Sequence, residues 1–125
     1  MAVIAIVDDD ESVRLATADL LSSSGFLCET FDSATAYLAS GRVAATRCLI
    51  LDLSMPGMDG LALQRELTRS GHTIPIIFIT AFAESRTRAQ ALEAGALCYL
   101  PKPYADEELL DCIRRALEDD MGGTT

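Results

Sequence analysis

The sequence predicts an α/β fold: a five-stranded parallel sheet in a flavodoxin-like, doubly wound (βα)5 arrangement with strand order 2-1-3-4-5. Apolar runs typical of strands buried on both faces alternate with amphipathic segments of helical spacing. This alternation indicates parallel strands joined by right-handed helical crossovers that cover both faces of the sheet. The length of 125 residues suits one domain and leaves no room for a second.

Five apolar runs predict the strands. They span residues 2–7, 26–31, 48–51, 74–79 and 97–100. Pro75 comes at the start of the fourth run, where a strand tolerates a residue without an N–H group. These strands are short and nearly continuous in apolar character, so we expect them to lie in the middle of the molecule.

Five segments between and after these runs predict the helices. They span residues 11–24, 33–40, 61–69, 84–93 and 106–118. Glycines that suit a helix C-terminus follow four of them: Gly25, Gly41, Gly71 and Gly95. The last helix has its apolar residues on one face: Leu109, Leu110, Ile113 and Leu117.

Composition and charge exclude several classes of function. Nineteen acidic residues against ten basic ones give a net charge of -9, which argues against binding nucleic acid or an anionic membrane. The longest apolar stretch, 74–83, has roughly half the ~20 residues that a membrane span needs. The N-terminus carries no basic segment typical of a secretory signal. We therefore expect a cytoplasmic protein without a membrane partner.

The cysteines and the histidine do not predict a catalytic or zinc site. None of Cys28, Cys48, Cys98 and Cys112 has a partner at zinc-ligand spacing, and His72 is the only histidine. We interpret Cys28, Cys48 and Cys98, which lie in apolar runs, as small buried apolar residues and His72 as a solvated turn residue.

Acidic residues follow two strands that are neighbours in the predicted sheet. Asp8, Asp9 and Asp10 end the first strand, and Asp52 ends the third. The topological switch point lies between these strands at their carboxyl ends, so the acids should converge there. Carboxylates about 4 Å apart repel by about 4 kcal/mol at an effective dielectric constant of 20, so such a cluster must raise its pKa values or bind a cation. Oxygen ligands alone favour Mg2+.

A hydroxyl and an ammonium group are predicted at the same edge of the sheet. The fourth strand ends at Thr80, and the fifth leads into Lys102, the only lysine in the chain. A carboxylate in such a site can act as a nucleophile and form an aspartyl phosphate. The cation, the Lys102 ammonium and the Thr80 hydroxyl would stabilise the charge of the transferring group.

These residues lie in motifs that resemble a known family, the receiver domains of two-component response regulators. The motifs are Val7-Asp8-Asp9, Leu51-Asp52 with Met55-Pro56-Gly57-Met58-Asp59-Gly60, Thr80-Ala81, and Tyr99-Leu100-Pro101-Lys102-Pro103-Tyr104. The resemblance covers about residues 3–118. The spacing of the motifs is most similar to that of the FixJ-like branch of the family. It implies a receiver domain over residues 1–120, with 121–125 as a flexible tail or the start of a linker.

The resemblance implies a signalling function rather than an enzyme. Such a domain takes a phosphoryl group from a sensor histidine kinase or phosphotransfer protein by a self-catalysed reaction. It then controls an output, here expected to be transcription through a separate domain. We expect phosphorylation to alter the surface formed by the fourth helix, fifth strand and fifth helix, and our hypothesis is a phosphorylation-dependent homodimer through that surface.

The resemblance implies roles for individual residues. Asp52 is the phosphoacceptor, and Mg2+, or Mn2+ as an alternative, is held by Asp8, Asp9, Asp52 and the main-chain carbonyl of Ser54. Lys102 contacts the phosphoryl group, and the Lys102–Pro103 peptide bond is cis.

Two further pairs of positions follow from the resemblance. Thr80 and Tyr99 match the switch pair of the family. Ser54 and Phe82 match positions that border the path of the hydrolytic water. Neither side chain is an acid or amide that orients water well, so we expect slow self-dephosphorylation.

Three alternative functions remain open from the sequence. A haloacid-dehalogenase-type phosphatase also uses an aspartate nucleophile, but it needs a second acid where this chain has Ser54. A flavin carrier of the same fold would have its phosphate repelled by Asp8, Asp9 and Asp10. A stand-alone or degenerate receiver would act as a protein-interaction scaffold.

Overall fold

The computed structural model describes residues 3–55, 57–81 and 84–122, in which strands and helices alternate along the chain. The strands are β1 (Val3–Val7), β2 (Leu27–Phe31), β3 (Thr46–Asp52), β4 (Ile76–Thr80) and β5 (Cys98–Pro101). The helices are α1 (Glu11–Ser23), α2 (Ala34–Ala39), α3 (Gly60–Arg69), α4 (Ser85–Glu93) and α5 (Asp106–Gly122), with a short 3-10 turn at Val43–Ala45.

The five strands form one parallel sheet in the order β2-β1-β3-β4-β5, which confirms the predicted fold. β1 lies between β2 and β3, and its last residue Val7 pairs with Phe31 on one side and Leu51 on the other. The carboxyl ends of β1 and β3 therefore lie side by side, which is the switch point of the doubly wound topology.

Each face of the sheet carries its own apolar core because successive side chains of a strand point to opposite faces. Ile4 and Ile6 of β1 belong to the core between the sheet and helices α1 and α5. Ala5 and Val7 belong to the core between the sheet and helices α2, α3 and α4. Strands buried on both faces explain the continuous apolar runs in the sequence.

The end of α1 shows how a glycine determines the start of the next strand. Gly25 has a φ of 89°, and its N–H donates to the Ser22 carbonyl at 3.1 Å. The N–H of Phe26 donates to the Leu21 carbonyl at 2.9 Å, which completes a Schellman motif. Phe26 is therefore used in closing the helix, and β2 begins at Leu27 rather than at the predicted residue 26.

Three other boundaries differ from the prediction by two or more residues. β3 begins at Thr46 rather than 48, because Thr46 is a polar residue that the hydropathy pattern does not mark as buried. β4 begins at Ile76 rather than 74, after Pro75, whose carbonyl accepts a hydrogen bond from Leu49 at 2.9 Å. Helix α5 continues to Gly122 rather than ending at 118.

The four cysteines are free thiols. Cys48 and Cys98 are buried as predicted, and so is Cys112, whereas Cys28 is partly exposed and not buried as predicted. No helix in the described part of the chain has the length and apolar character to cross a membrane.

Candidate functional site at the carboxyl edge of the sheet

Three aspartates meet where β1 and β3 end. Carboxylate oxygens of Asp8, Asp9 and Asp52 lie within 4.8 Å of one another. Asp8 is completely buried and Asp52 is 6% exposed, whereas Asp9 is exposed. The predicted convergence is present for Asp8, Asp9 and Asp52, and the open side of the cluster is the one that Asp9 borders. Asp10 does not belong to the cluster, because its side chain caps the N-terminus of α1.

Asp8 is held in place by the backbone, but one of its oxygens has no hydrogen-bond donor. Its N–H donates to the Phe31 carbonyl at 3.1 Å, and its Oδ1 accepts from the N–H of Asp10 at 2.9 Å. Its Oδ2 is buried without a hydrogen-bond partner, and the Nζ of Lys102 lies 3.7 Å from it. A buried carboxylate oxygen that lacks a donor suits a hard divalent cation, so the residues fit a Mg2+ site.

The ionisation of Asp52 reflects this environment. Burial and the nearby charge of Asp8 raise its pKa to about 7, while the positive charge of Lys102 opposes the shift. The N–H of Ser54 donates to Asp52 Oδ1 at 3.2 Å and so fixes one oxygen of the carboxylate. A cation among the acids would lower this pKa and favour the ionised, nucleophilic form of Asp52.

Lys102 and Thr80 lie at the same edge because the ends of β4 and β5 are joined. The N–H of Lys102 donates to the Thr80 carbonyl at 2.7 Å. Thr80 is completely buried, and the Lys102 side chain is 24% exposed. The Lys102–Pro103 peptide bond is cis, as the resemblance implied.

Tyr99, the other member of the predicted switch pair, is buried in this structure. Its ring centroid lies 6.5 Å from that of Phe78, and the residue is 8% exposed. Its hydroxyl faces the backbone of Glu84 at the start of α4 but makes no hydrogen bond of standard geometry. Phe82, predicted to affect dephosphorylation, lies outside the described residues.

Gly60 is a packing residue whose role the sequence did not reveal. It is the first residue of α3, and its N–H donates to the Leu53 carbonyl at 3.0 Å. A Cβ atom at this position would lie 2.8 Å from the Asp52 carbonyl oxygen and 3.0 Å from Leu53 Cα. The absence of a side chain therefore lets α3 pack against the strand end that carries Asp52. The sequence signal for this packing role was the position of the glycine directly after Asp59, the residue that caps α3.

Arg14 and Tyr104 also border the site without having been assigned a role. Arg14 of α1 donates from Nη1 to the main-chain carbonyl of Asp8 at 2.8 Å. Its signal in the sequence was its position four residues after Asp10, the N-cap residue of α1. Burial raises the pKa of Tyr104, the Thr17 side chain opposes this shift, and the charge of Asp8 adds to it.

The fold and this site define a family. The chain belongs to the response regulator receiver domains, whose family model matches residues 4–114. This is a non-catalytic signalling family whose members receive phosphoryl groups from histidine kinases and generally bind Mg2+ in an acidic pocket.

Curated relatives of the chain are response regulators. It is 44% identical over 117 residues to the response regulator protein TmoT of Ectopseudomonas mendocina, covering 94% of this chain and 53% of the relative. It is 40% identical over 119 residues to nodulation protein W of Bradyrhizobium diazoefficiens, covering 95% of this chain and 52% of that protein. The chain thus spans about half the length of the curated relatives it matches.

Solved structures similar to the chain include a member of the FixJ-like branch that the sequence predicted. It is similar to FixJ-N, with 36% identity, a TM-score of 0.85 and 94% of both chains covered. It is also similar to the response regulator StyR, with 42% identity, a TM-score of 0.89, and coverage of 98% of this chain and 62% of that one. The predictions of family and fold are therefore confirmed.

Proposed function

We propose that Asp52 accepts a phosphoryl group from a sensor histidine kinase or a phosphotransfer protein. The observation that carries the proposal is the convergence of Asp8, Asp9 and Asp52, with carboxylate oxygens within 4.8 Å of one another and Lys102 beside them. Asp52 is the acid at the end of the central strand β3, and its backbone is braced by the packing of Gly60.

The metal ligands in this proposal are Asp8, Asp9, Asp52 and the main-chain carbonyl of Ser54, with Mg2+ as the ion and Mn2+ as an alternative. The donorless Oδ2 of Asp8 supports this assignment. When bound, the ion neutralises the acids and offsets negative charge on the phosphoryl oxygens.

The chain's own residues perform the transfer by positioning and charge. An ionised Asp52 oxygen attacks the phosphorus, a new O–P bond forms, and the P–N bond to the donor histidine breaks with its electron pair passing to the imidazole. The Lys102 ammonium pairs with a phosphoryl oxygen, and the Thr80 hydroxyl donates to another. The pKa of Asp52, about 7, means that any lowering by a cation increases the reactive fraction at neutral pH.

Intact-mass measurement with a small phosphodonor tests the acceptor. Incubation with acetyl phosphate and Mg2+ should add one phosphoryl group, about 80 Da, to the parent. Asp52→Asn should stay unmodified, and Asp32→Asn, the same change at an exposed residue directly after β2, should be labelled like the parent. Labelling of Asp52→Asn would contradict the assignment, and an unlabelled parent would favour the scaffold alternative. Catalytic release of phosphate from many donors per protein would favour the phosphatase.

Calorimetric titration with Mg2+ tests the metal ligands. Asp9→Ala should lose most of the Mg2+ affinity because it removes the exposed ligand of the cluster, while Glu11→Ala, an exposed acid nearby on α1, should bind like the parent. Equal affinity in Asp9→Ala would remove this residue from the metal site.

We further propose that Thr80 and Tyr99 transmit the signal to a surface formed by α4, β5 and α5. Movement of the Thr80 hydroxyl toward the phosphoryl group would make space into which the Tyr99 ring turns. This surface has a groove of about 490 Å³ with the partly exposed Leu92 and charges of both signs, among them Arg88, Arg115 and Asp111. Such a mixture suits pairing with a second copy, and sedimentation with and without phosphorylation tests for the dimer.

The output in this proposal is transcription through a separate domain. The name of one relative, transcriptional regulatory protein TdiR of Thauera aromatica, supports it, as does the half-length match to the curated relatives. The proposed domain bounds are 1–120 for the receiver domain and 121–125 for a flexible tail or the start of a linker, of which the first two residues still belong to α5. We propose a cytoplasmic location for the protein. We further propose that self-dephosphorylation is slow because of Ser54 and Phe82. The phosphorylated Ser54→Asn variant should therefore lose its phosphoryl group faster than the parent. Equal rates of phosphoryl loss in the variant and the parent would exclude a role for Ser54.

A further inference from the structure

Among the residues that the structure describes, helix α4 is held to the rest of the domain mainly at its C-terminal end. All of its residues, Ser85–Glu93, are described, and Ala91 is the only buried one. At its N-terminus the N-cap residue Glu84 makes no capping hydrogen bond with its side chain. The first turn therefore has neither apolar burial nor a side-chain cap to fix it.

The other end of α4 is fixed by a buried amide from α3. Gln64 is 2% exposed, and its Nε2 donates to the Ala91 carbonyl at 3.1 Å. The same carbonyl accepts the N–H of Ala96 at 3.0 Å, in the bond that closes the end of the helix. Both lone pairs of this carbonyl are thus used, one by the helix end and one by a neighbouring helix.

A buried side-chain amide is expensive to desolvate, and it stabilises a structure only where its partner is correctly placed. Gln64 thereby favours one position of the last turn of α4 over others. The first turn, which begins beside the buried Tyr99 hydroxyl, is not subject to this constraint.

We infer that Gln64 is a positioning residue that makes the last turn of α4 a fixed pivot, so that the signal from the site displaces the first turn alone. The inferred displacement of the first turn around this pivot rests on the proposed function. The hydrogen bond from Gln64 to Ala91, which we call the anchor, is a property of the unphosphorylated domain. Among the described residues, the side-chain hydrogen bond of Gln64 goes to α4 and not to the acids or Lys102, so we assign its effect to the position of α4.

Hydrogen exchange of the unphosphorylated full chain tests the anchor. Gln64→Met keeps the length and volume of the side chain but removes the donor. It should speed exchange of the amides of 94–96 by about fivefold, the effect of one net hydrogen bond. Gln90→Met makes the same chemical change at an exposed residue of α4 and should leave these rates unchanged. Gln64→Leu provides a second apolar variant with the same expected pattern.

Unchanged exchange at 94–96 in the Gln64 variants would overturn the anchor. Equal acceleration of amides throughout α1 and α5 would overturn it too, since that pattern means general loss of stability.

Exchange in the presence of acetyl phosphate and Mg2+ then tests the pivot. In the parent, phosphorylation should change exchange at 85–88 and leave 94–96 within twofold, whereas in Gln64→Met the change should extend to 94–96. A parent that changes equally at both ends would overturn the pivot. Failure of the parent to become labelled would count against the proposed function, and the unphosphorylated comparison would still decide the anchor.

Discussion

The two edges of the sheet treat buried polar groups in opposite ways. At the amino edge, where the strands begin, the Tyr37 hydroxyl donates to Thr46 Oγ1 at 2.8 Å, and Thr46 Oγ1 donates to the Arg42 carbonyl at 2.9 Å. At the carboxyl edge, Asp8 Oδ2 is buried without a donor, and Asp52 has a pKa raised to about 7.

This difference shows that the buried polar groups stabilise the fold at the amino edge and destabilise it at the carboxyl edge. A buried network in which every polar group is hydrogen-bonded stabilises the fold. Clustered carboxylates destabilise it unless a bound cation or proton neutralises part of their charge. Substitutions at the two edges should therefore change the free energy of unfolding in opposite directions and with different dependence on pH.

The largest effect should come from Asp52→Asn in metal-free buffer. The native pKa of about 7 lies above the ordinary 3.8, so the native state binds more protons than the unfolded state between these values. Parental stability should then fall as the pH rises from about 4 to about 7 and stay low above it. Asparagine resembles the protonated acid, so the variant should gain about 4 kcal/mol at pH 8 and almost nothing at pH 4.

Urea unfolding with EDTA from pH 4 to pH 8 measures this gain. Asp32→Asn, an exposed carboxylate at the same edge, should change the free energy by less than about 0.5 kcal/mol. Added Mg2+ should narrow the gap between parent and Asp52→Asn, because bound cation stabilises only the parent's acidic cluster. A gain that is the same at pH 4 and pH 8 would show that repulsion and burial of the charge are not its cause.

The amino edge should respond in the opposite sense to Thr46→Val. Valine keeps the shape but leaves the fully buried Tyr37 hydroxyl without an acceptor. The Arg42 carbonyl loses the Thr46 hydroxyl as a donor and keeps only the N–H of Ala45. We expect a loss of about 2 kcal/mol, constant between pH 4 and pH 8 since none of these groups titrates there. Thr30→Val, at an exposed position of β2, is the matched control and should be nearly neutral. Equal stability of Thr46→Val and the parent would mean that the network contributes nothing.

The same two edges explain what the sequence could predict. The fold followed from the period of apolar residues, because strands buried on both faces leave a continuous run that few other structures produce. The residues Asp8, Asp52, Thr80 and Lys102 could be assigned to one edge because each follows a predicted strand, and parallel strands end together.

The amino edge could not be predicted in this way. Thr46 and Gln64 are polar residues in buried positions, and no hydropathy pattern reveals that a specific hydroxyl or carbonyl lies opposite them. Their partners, Tyr37 and Ala91, come from other elements, so the pairing depends on how helices dock. Gly60 was visible as part of a motif, but only the 2.8 Å approach of its absent Cβ to the Asp52 carbonyl gives the reason for it.

The smallest effect concerns two arginines, one near each edge. Arg14 donates to the Asp8 carbonyl at 2.8 Å beside the acidic cluster, whereas Arg42 pairs with Glu29 at 2.8 Å with both side chains well exposed. Arg14→Met should lower the free energy of unfolding by about 1 kcal/mol, because it removes both a charged donor and a cation that offsets the acids. Arg42→Met should cost about 0.3 kcal/mol, the ordinary value of an exposed ion pair.

Urea unfolding at low and high salt separates the contribution of the hydrogen bond from that of the charge. Salt should remove the Arg42 effect and only part of the Arg14 effect, since the hydrogen bond to the carbonyl is not screened as a charge pair is. Complete loss of the Arg14 effect in high salt would show that Arg14 acts only as a diffuse counter-charge and does not hold the loop that positions Asp8.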